Sequence, residues 1–317
     1  MWQVLSGVFL GWSLGSNDAS NVFGTAVASR MVHFWTAALL CSFFVILGAM
    51  LEGEAGMHTY SELLGNQGNA NQAFVIGLSA AITVTLMSYL ALPVSTSQAV
   101  VGAMVLVGLM NSTLDTSSLG KVVLCWIGTP IGAAGITVVL YFVLGKAMNR
   151  LDLNMFKYDR YLRWGLVICG SYGAYALGAN NVANVTGAFV SVDAEGKALD
   201  GMLDVRTACA VGSVAIALGV VTYSRKVMMT VGRDLVQLDA FTALVAILAE
   251  AITVHIYAII GVPVSTSQAI VGAVLGIGLV KGVRTIQMKT LAKILFGWVG
   301  TPAISAAIAW LCYQLFL

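Results

Sequence analysis

The sequence predicts an all-α polytopic membrane protein made of two inverted-topology repeats of about five apolar segments each, with interrupted or re-entrant helices and about 10 to 12 transmembrane helices. Three observations predict it. Apolar residues make up 59% of the chain and charged residues 9%, with a mean hydropathy of +0.90, far from the mix of a soluble domain. Apolar stretches near or above the roughly 20 residues that cross a bilayer follow one another in two sets of five. Finally, Pro93 to Ala103 (PVSTSQAVVGA) recur from Pro263 to Ala273 (PVSTSQAIVGA), with Val100 against Ile270 as the one change.

The first set covers 2–28, 33–51, 73–91, 93–111 and 121–146 within residues 1–150. The second covers 163–191, 207–223, 240–261, 263–280 and 291–316 within residues 151–317. The sets correspond at three points in one order: GSNDASN (Gly15 to Asn21) with GANNVAN (Gly178 to Asn184), the two PVSTSQA blocks, and WIGTP (Trp126 to Pro130) with WVGTP (Trp298 to Pro302). All four prolines fall in matched positions, so the chain reads as a duplication. An odd number of segments per half sends the second half into the membrane from the opposite side. The charges agree, because Arg30, Lys146, Arg150, Lys157, Arg160, Arg163, Arg225, Lys226, Arg233, Lys281, Arg284, Lys289 and Lys293 share one side if segments alternate. Only Lys121, Lys197 and Arg206 fall on the other, with Glu52, Glu54, Glu62, Asp115, Asp193, Glu195, Asp200 and Asp204. The positive-inside rule then places both termini outside the cytoplasm. Segments 73–91 with 93–111, and 240–261 with 263–280, each leave and return to one side, as re-entrant hairpins or as pairs of full spans.

Inverted repeats with interrupted helices describe a secondary transporter with its site near the midplane. A net charge of +2 gives no basis for a nucleic-acid partner. The five cysteines stand singly without metal-ligand spacing and read as core filler. No basic n-region precedes the first apolar run, so no cleaved signal peptide is expected. An intramembrane hydrolase is disfavoured because no serine has a paired base.

Asn17, Asp18 and Asn21 sit about halfway along the first segment. A carboxylate at that depth is costly and marks function by default. With the two carboxamides it offers only oxygen ligands for a hard monovalent cation, and Asn17 and Asn21, four apart, share a helix face. Inter-helical hydrogen bonding accounts for an asparagine but poorly for Asp18. The second copy, Asn180, Asn181 and Asn184, has Asn181 in the place of Asp18, so the two cation sites are expected to be unequal. Ser95, Thr96 and Ser97, with Ser265, Thr266 and Ser267, bring hydroxyls and the N–H groups of helices restarting after Pro93 and Pro263 towards the centre. Such ends suit a tetrahedral oxyanion, and Ser95 and Ser265 read at the same time as helix caps. Neither block holds Lys or Arg, so a dianion entering there needs co-bound cations, which favours symport over uniport.

These blocks resemble the inorganic phosphate transporter (PiT) family, whose duplicated signature has the form GANDVAN…G in one segment and PxSTT/S…VG in a later one. The resemblance covers nearly the whole chain, in both halves and in order. It implies a phosphate symporter, driven by Na⁺ in many members and by H⁺ in others, with no cofactor beyond the co-transported ion. Carried over position by position, it implies sodium binding by Asn17, Asp18, Asn21, Asn180, Asn181 and Asn184. It implies phosphate binding by the triplets Ser95, Thr96, Ser97 and Ser265, Thr266, Ser267, with Asn17 and Asn180. Asn181 stands where many members repeat the aspartate, and Gln98 and Gln268 stand where many have histidine. Losing an ionisable residue beside the phosphate site removes a candidate proton carrier, which favours Na⁺; a proton-coupled phosphate or sulfate carrier is the alternative.

Glu250 and His255 match Ala80 and Thr85 under the offset that aligns the PVSTSQA blocks, so neither has a counterpart in the first half. Glu250 reads equally as an additional cation ligand, a gate, or a carboxylate paired with a basic group at the cytoplasmic end. His255 reads as a hydrogen-bonded core histidine. Glu52 and Glu54 read as solvated loop acids, with an entrance or gate role for Glu52 as the alternative. Trp126, Thr129, Trp298 and Thr301 read as helix packing around kinks at Pro130 and Pro302. The expectation is a multi-pass carrier of a prokaryotic inner membrane, with inorganic phosphate, sodium ions and the lipid bilayer as partners. A homodimer is expected from the commonness of symmetric pairs.

Overall fold

A computed structural model describes residues 2–66, 68–89, 94–151, 154–190, 202–234, 238–282 and 288–317. Pro93, Asp193, Glu195, Lys197, Asp200 and Arg284 lie outside them. The described residues are almost all helical: α1 (Val4–Ala28), α2 (Phe34–Glu52), α3 (Glu54–Leu63), α4 (Ala70–Tyr89), α5 (Thr96–Met110), α6 (Thr116–Arg150), α7 (Met155–Thr186), α8 (Val205–Asp234), α9 (Ala240–Ile260), α10 (Thr266–Lys281) and α11 (Met288–Phe316). Ten of these coincide with the ten apolar stretches. The eleventh, α3, falls where the sequence reads as an outer loop.

Six helices, α2, α4, α6, α8, α9 and α11, contain a stretch long and apolar enough to cross a membrane. α5 and α10 have 15 and 16 residues; at ~1.5 Å per residue they fall short of the roughly 30 Å hydrocarbon core. α6 and α11 are the least buried of the six and turn Leu124, Ile127, Ile131, Phe142, Phe296 and Val299 outwards, as lipid-facing helices do. α1 and α7 run through the interior, where their polar stretches are enclosed by other helices.

The packing recurs between halves with partners exchanged. α1 lies against α8 and α4, and α7 against α2 and α9; α5 lies against α11, and α10 against α6. Glycines set how close these helices approach. A Cβ on Gly15 would stand 2.0 Å from the carbonyl oxygen of Ile216, and one on Gly178 the same distance from that of Val45. Gly48 and Gly219 meet the Tyr175 and Trp12 carbonyls in the same exchanged manner. Gly272 is pressed against Pro130, and Gly102 against Pro302. These prolines sit inside continuous helices, with Thr129 and Thr301 donating one turn back to Cys125 and Gly297. The packing role read from the WxGTP repeats therefore holds, and the helices continue through both prolines.

Helix ends place the hairpins. Asp239 caps α9 through the Thr242 N–H at 2.9 Å and accepts from Lys281 at the end of α10, which brings the open ends of α9 and α10 together. Asn69 caps α4 through the Gln72 N–H at 3.0 Å.

Because Gly178 faces a backbone carbonyl that cannot move aside, Gly178→Ala should destabilise the protein by about 1–3 kcal/mol, lowering the midpoint of thermal unfolding in detergent by several degrees. Gly132, which has nothing within 4 Å of a Cβ, should tolerate alanine with an unchanged or raised midpoint.

Candidate functional site

The site is organised by the break between α9 and α10. α9 ends at Gly261 in the left-handed region (φ 81), a conformation that glycine adopts without the Cβ strain other residues meet. Val262, Pro263, Val264 and Ser265 then run without helical structure before α10 begins at Thr266. Ser265 caps α10 through the Gln268 N–H at 3.2 Å, and Ser95 caps α5 through the Gln98 N–H at 3.4 Å, so both serines act as caps as the sequence suggested.

The groups freed by the break are met from two other helices. Asn180 of α7 donates to the Val264 carbonyl at 2.8 Å and accepts from the Val264 N–H at 3.1 Å. From α3, Thr59 donates to the Gly261 carbonyl at 2.5 Å, while Gly56 lies close beside Pro263. The start of α10 also touches the segment before α5, because the Ser267 hydroxyl donates to the Val94 carbonyl at 3.2 Å. The two helix N-termini are thereby brought to one place, and each carries a partial positive charge of about half a unit.

α1 closes this centre from the other side. Thr266 donates to Asp18 Oδ2 at 3.0 Å, Asn17 donates to Asp18 Oδ1 at 3.1 Å, and Asn21 reaches both Thr266 and Ser267 at 3.4 Å. α1 is helical throughout this stretch, so Asn17 and Asn21 do share a face. Asp18, Ser95, Thr96, Ser97, Ser265, Thr266, Asn180, Asn181 and Asn184 are buried. Partial exposure follows one face of α1 from Asn17 through Asn21 and Thr25 to Ala28, so the centre opens towards the C-terminal end of that helix.

The two copies of the polar run are engaged differently. In the second, Asn181 Oδ1 accepts from Asn184 at 2.6 Å and from Asn180 at 3.2 Å, and Asn184 Oδ1 accepts from the Tyr60 hydroxyl at 2.5 Å. With Asn180 Oδ1 taken by Val264, every carboxamide oxygen of this copy already has a donor. In the first copy the side-chain oxygens of Asn17 and Asn21 receive no hydrogen bond among the described residues, and the carboxylate of Asp18 adds charge. An oxygen-seeking cation meets far less competition on α1 than on α7.

The remaining sequence candidates separate. Glu250 is buried, its Oε2 has no hydrogen-bond partner, and no ion pair among the described residues involves it. Among the described residues, then, the basic partner that one reading gave it is not found. Glu52 is not a free loop acid: it is the last residue of α2, and its Oε2 lies 2.7 Å from His255 Nε2. Across the ring, His255 Nδ1 meets the Tyr172 hydroxyl at 2.8 Å, as expected of a hydrogen-bonded core histidine. Glu54 remains exposed, paired with His58 one turn on. Sequence reasoning missed Thr59 and Tyr60 because α3 read as loop, although Met57, Tyr60 and Leu63, with Gly56, mark one buried helical face.

Comparison with known proteins matches residues 14–158 and 138–309 to the phosphate transporter family. A candidate phosphate permease of Methanocaldococcus jannaschii is 29% identical over 309 residues, covering 98% of this chain and 95% of that protein. Sulfate permease CysP of Bacillus subtilis is 29% identical over 321 residues, covering 99% of this chain and 87% of its own length. Among solved structures, one described as the sodium-dependent phosphate transporter superposes with a TM-score of 0.83 at 22% identity, covering 99% of this chain and 98% of that one. The likeness establishes the fold.

The Tyr60 hydroxyl is fully buried with Asn184. Tyr60→Phe removes the donor and should destabilise the protein by about 1–3 kcal/mol, read as a lower unfolding midpoint in detergent, whereas His58→Ala on the exposed side of α3 should leave the midpoint in place.

Proposed function

The chain belongs to the phosphate transporter family, and from that membership we propose that it imports inorganic phosphate by sodium-coupled symport through alternating access. The observation that carries the reading is the meeting of two helix N-termini, with their hydroxyls, beside a buried carboxylate that has no basic partner among the described residues. Phosphate docks on Ser95, Thr96, Ser97, Ser265, Thr266 and Ser267, with Asn17 and Asn180 at the edge. Sodium is held at Asn17, Asp18 and Asn21, and more weakly at Asn180, Asn181 and Asn184. Co-bound sodium offsets the charge of the anion in a centre that holds no Lys or Arg among the described residues, so loaded and empty carriers differ in the conformation they prefer.

Residues 1–150 and 151–317 act as two inverted repeats, each contributing one half-length helix as the inner arm of a re-entrant hairpin. The exchanged helix contacts and the joined ends of α9 and α10 support this arrangement, and the distribution of Lys and Arg puts both termini outside the cytoplasm of a cell membrane. The half-buried face of α1 then opens inwards, with α3 covering the break on the outer side. A symmetric homodimer is the assembly expected for such a carrier.

Sulfate is the second reading, favoured by the likeness to the sulfate permease. Gln98 and Gln268 each keep a buried Oε1 without a donor. HPO₄²⁻ carries a proton that such an acceptor can take and sulfate carries none, which supports phosphate as the cargo.

Radiolabelled phosphate uptake into proteoliposomes under an inward Na⁺ gradient should exceed that under an equal K⁺ gradient or a pH gradient alone. Excess sulfate should compete poorly. Asp18→Asn should lower Na⁺-driven uptake by roughly tenfold or more, as expected when about 1.4 kcal/mol or more of site energy is lost, with the protein still folded and inserted. Uptake driven by protons alone, or near-normal coupled uptake by that variant, would overturn the sodium assignment.

A further inference from the structure

Among the described residues, two charged side chains are buried, Asp18 at 2% exposure and Glu250 at 1%. Both are acidic, and Gly173 stands beside both Glu250 and Val22, the latter one turn beyond Asp18. Neither has a basic partner among the described residues. A charged carboxylate left in that condition is strongly unfavourable, and it takes up a proton, a counter-ion or a bound metal. Glu250 has the greater need, since its Oε2 lacks even a hydrogen bond, whereas both oxygens of Asp18 accept one.

The space for Glu250 is built into the second half. A Cβ on Gly173 of α7 would lie 3.7 Å from Glu250 Oε2 and 3.0 Å from Val22, one turn beyond Asp18 on α1. In the alignment of GSNDASN with GANNVAN the counterpart of Gly173 is Leu10, and in that of the PVSTSQA blocks the counterpart of Glu250 is Ala80. Leu10 and Ala80 are both buried in one apolar cluster. The first half thus combines a large residue on α1 with a small one on α4, and the second half reverses this, making room for a carboxylate on α9.

We propose that Glu250 is a cation ligand that carries the charge missing at Asn181. Each half then supplies one buried carboxylate, Asp18 from α1 and Glu250 from α9, at positions that are not equivalent, and Glu250 holds one additional sodium ion per transport cycle. The inference rests on the sodium reading above.

Equilibrium binding of ²²Na⁺ to the purified full chain tests it without requiring transport. Glu250→Gln should bind one Na⁺ fewer per protein than the unsubstituted chain, and its Na⁺ dependence of phosphate uptake should be correspondingly less steep. Should Glu250→Gln fail to fold, Glu250→Ala combined with Gly173→Leu, which copies the pairing of the first half, provides the same measurement. An unchanged Na⁺ count in a folded variant overturns this inference and leaves sodium coupling intact. An absence of Na⁺ binding by the unsubstituted chain overturns both.

Discussion

The rest of the centre depends on two hydrogen bonds between Asn180 and the backbone of Val264. A helix that stops inside a bilayer exposes N–H and C=O groups with no water to receive them, at several kcal/mol each. Here Pro263 brings no donor, Asn180 takes both groups of Val264, Ser265 takes the first turn of α10, and Thr59 takes the Gly261 carbonyl. Without that set of partners the chain would have to continue as helix, and no N-terminus would point at the centre. The site is a by-product of how the break is satisfied.

Much of this was legible in the sequence. The Gly15–Asn21 and Gly178–Asn184 runs and the two PVSTSQA blocks sit in apolar surroundings where polar residues are rare enough to be read as function. What stayed hidden has physical reasons. α3 is short and of mixed polarity, so its apolar face is lost against a background in which almost every other segment is apolar throughout. The contact of Glu52 with His255 joins residues about two hundred positions apart and has no local pattern. The fate of Glu250 depended on which helix lay opposite, and only the packing of α7 against α9 through Gly173 reveals it.

The duplication conceals a division of labour. Asn180, Asn181 and Asn184 match Asn17, Asp18 and Asn21 by position, yet their oxygens are engaged by one another, by Val264 and by Tyr60. They work as a clamp on the broken segment. On α1 the oxygens of Asn17 and Asn21 receive no hydrogen bond among the described residues, and the carboxylate of Asp18 stands among them. One motif, present twice, thus has its side-chain oxygens engaged as scaffold in one copy and largely available in the other.

The exchanged packing of α1 with α8 and of α2 with α7 also bears on how the protein is made. α1 leaves the ribosome well before the helix that covers it, which begins at Val205, 177 residues beyond Ala28. At roughly 5–20 residues per second, α1 waits on the order of ten to thirty seconds with Asp18 at bilayer depth and neither α8 nor α10 yet synthesised. During that interval its polar face has to be sheltered by the insertion machinery or by partial withdrawal from the lipid. Biogenesis is therefore exposed to quality control at α1, whose packing is complete only when α8 and α10 arrive.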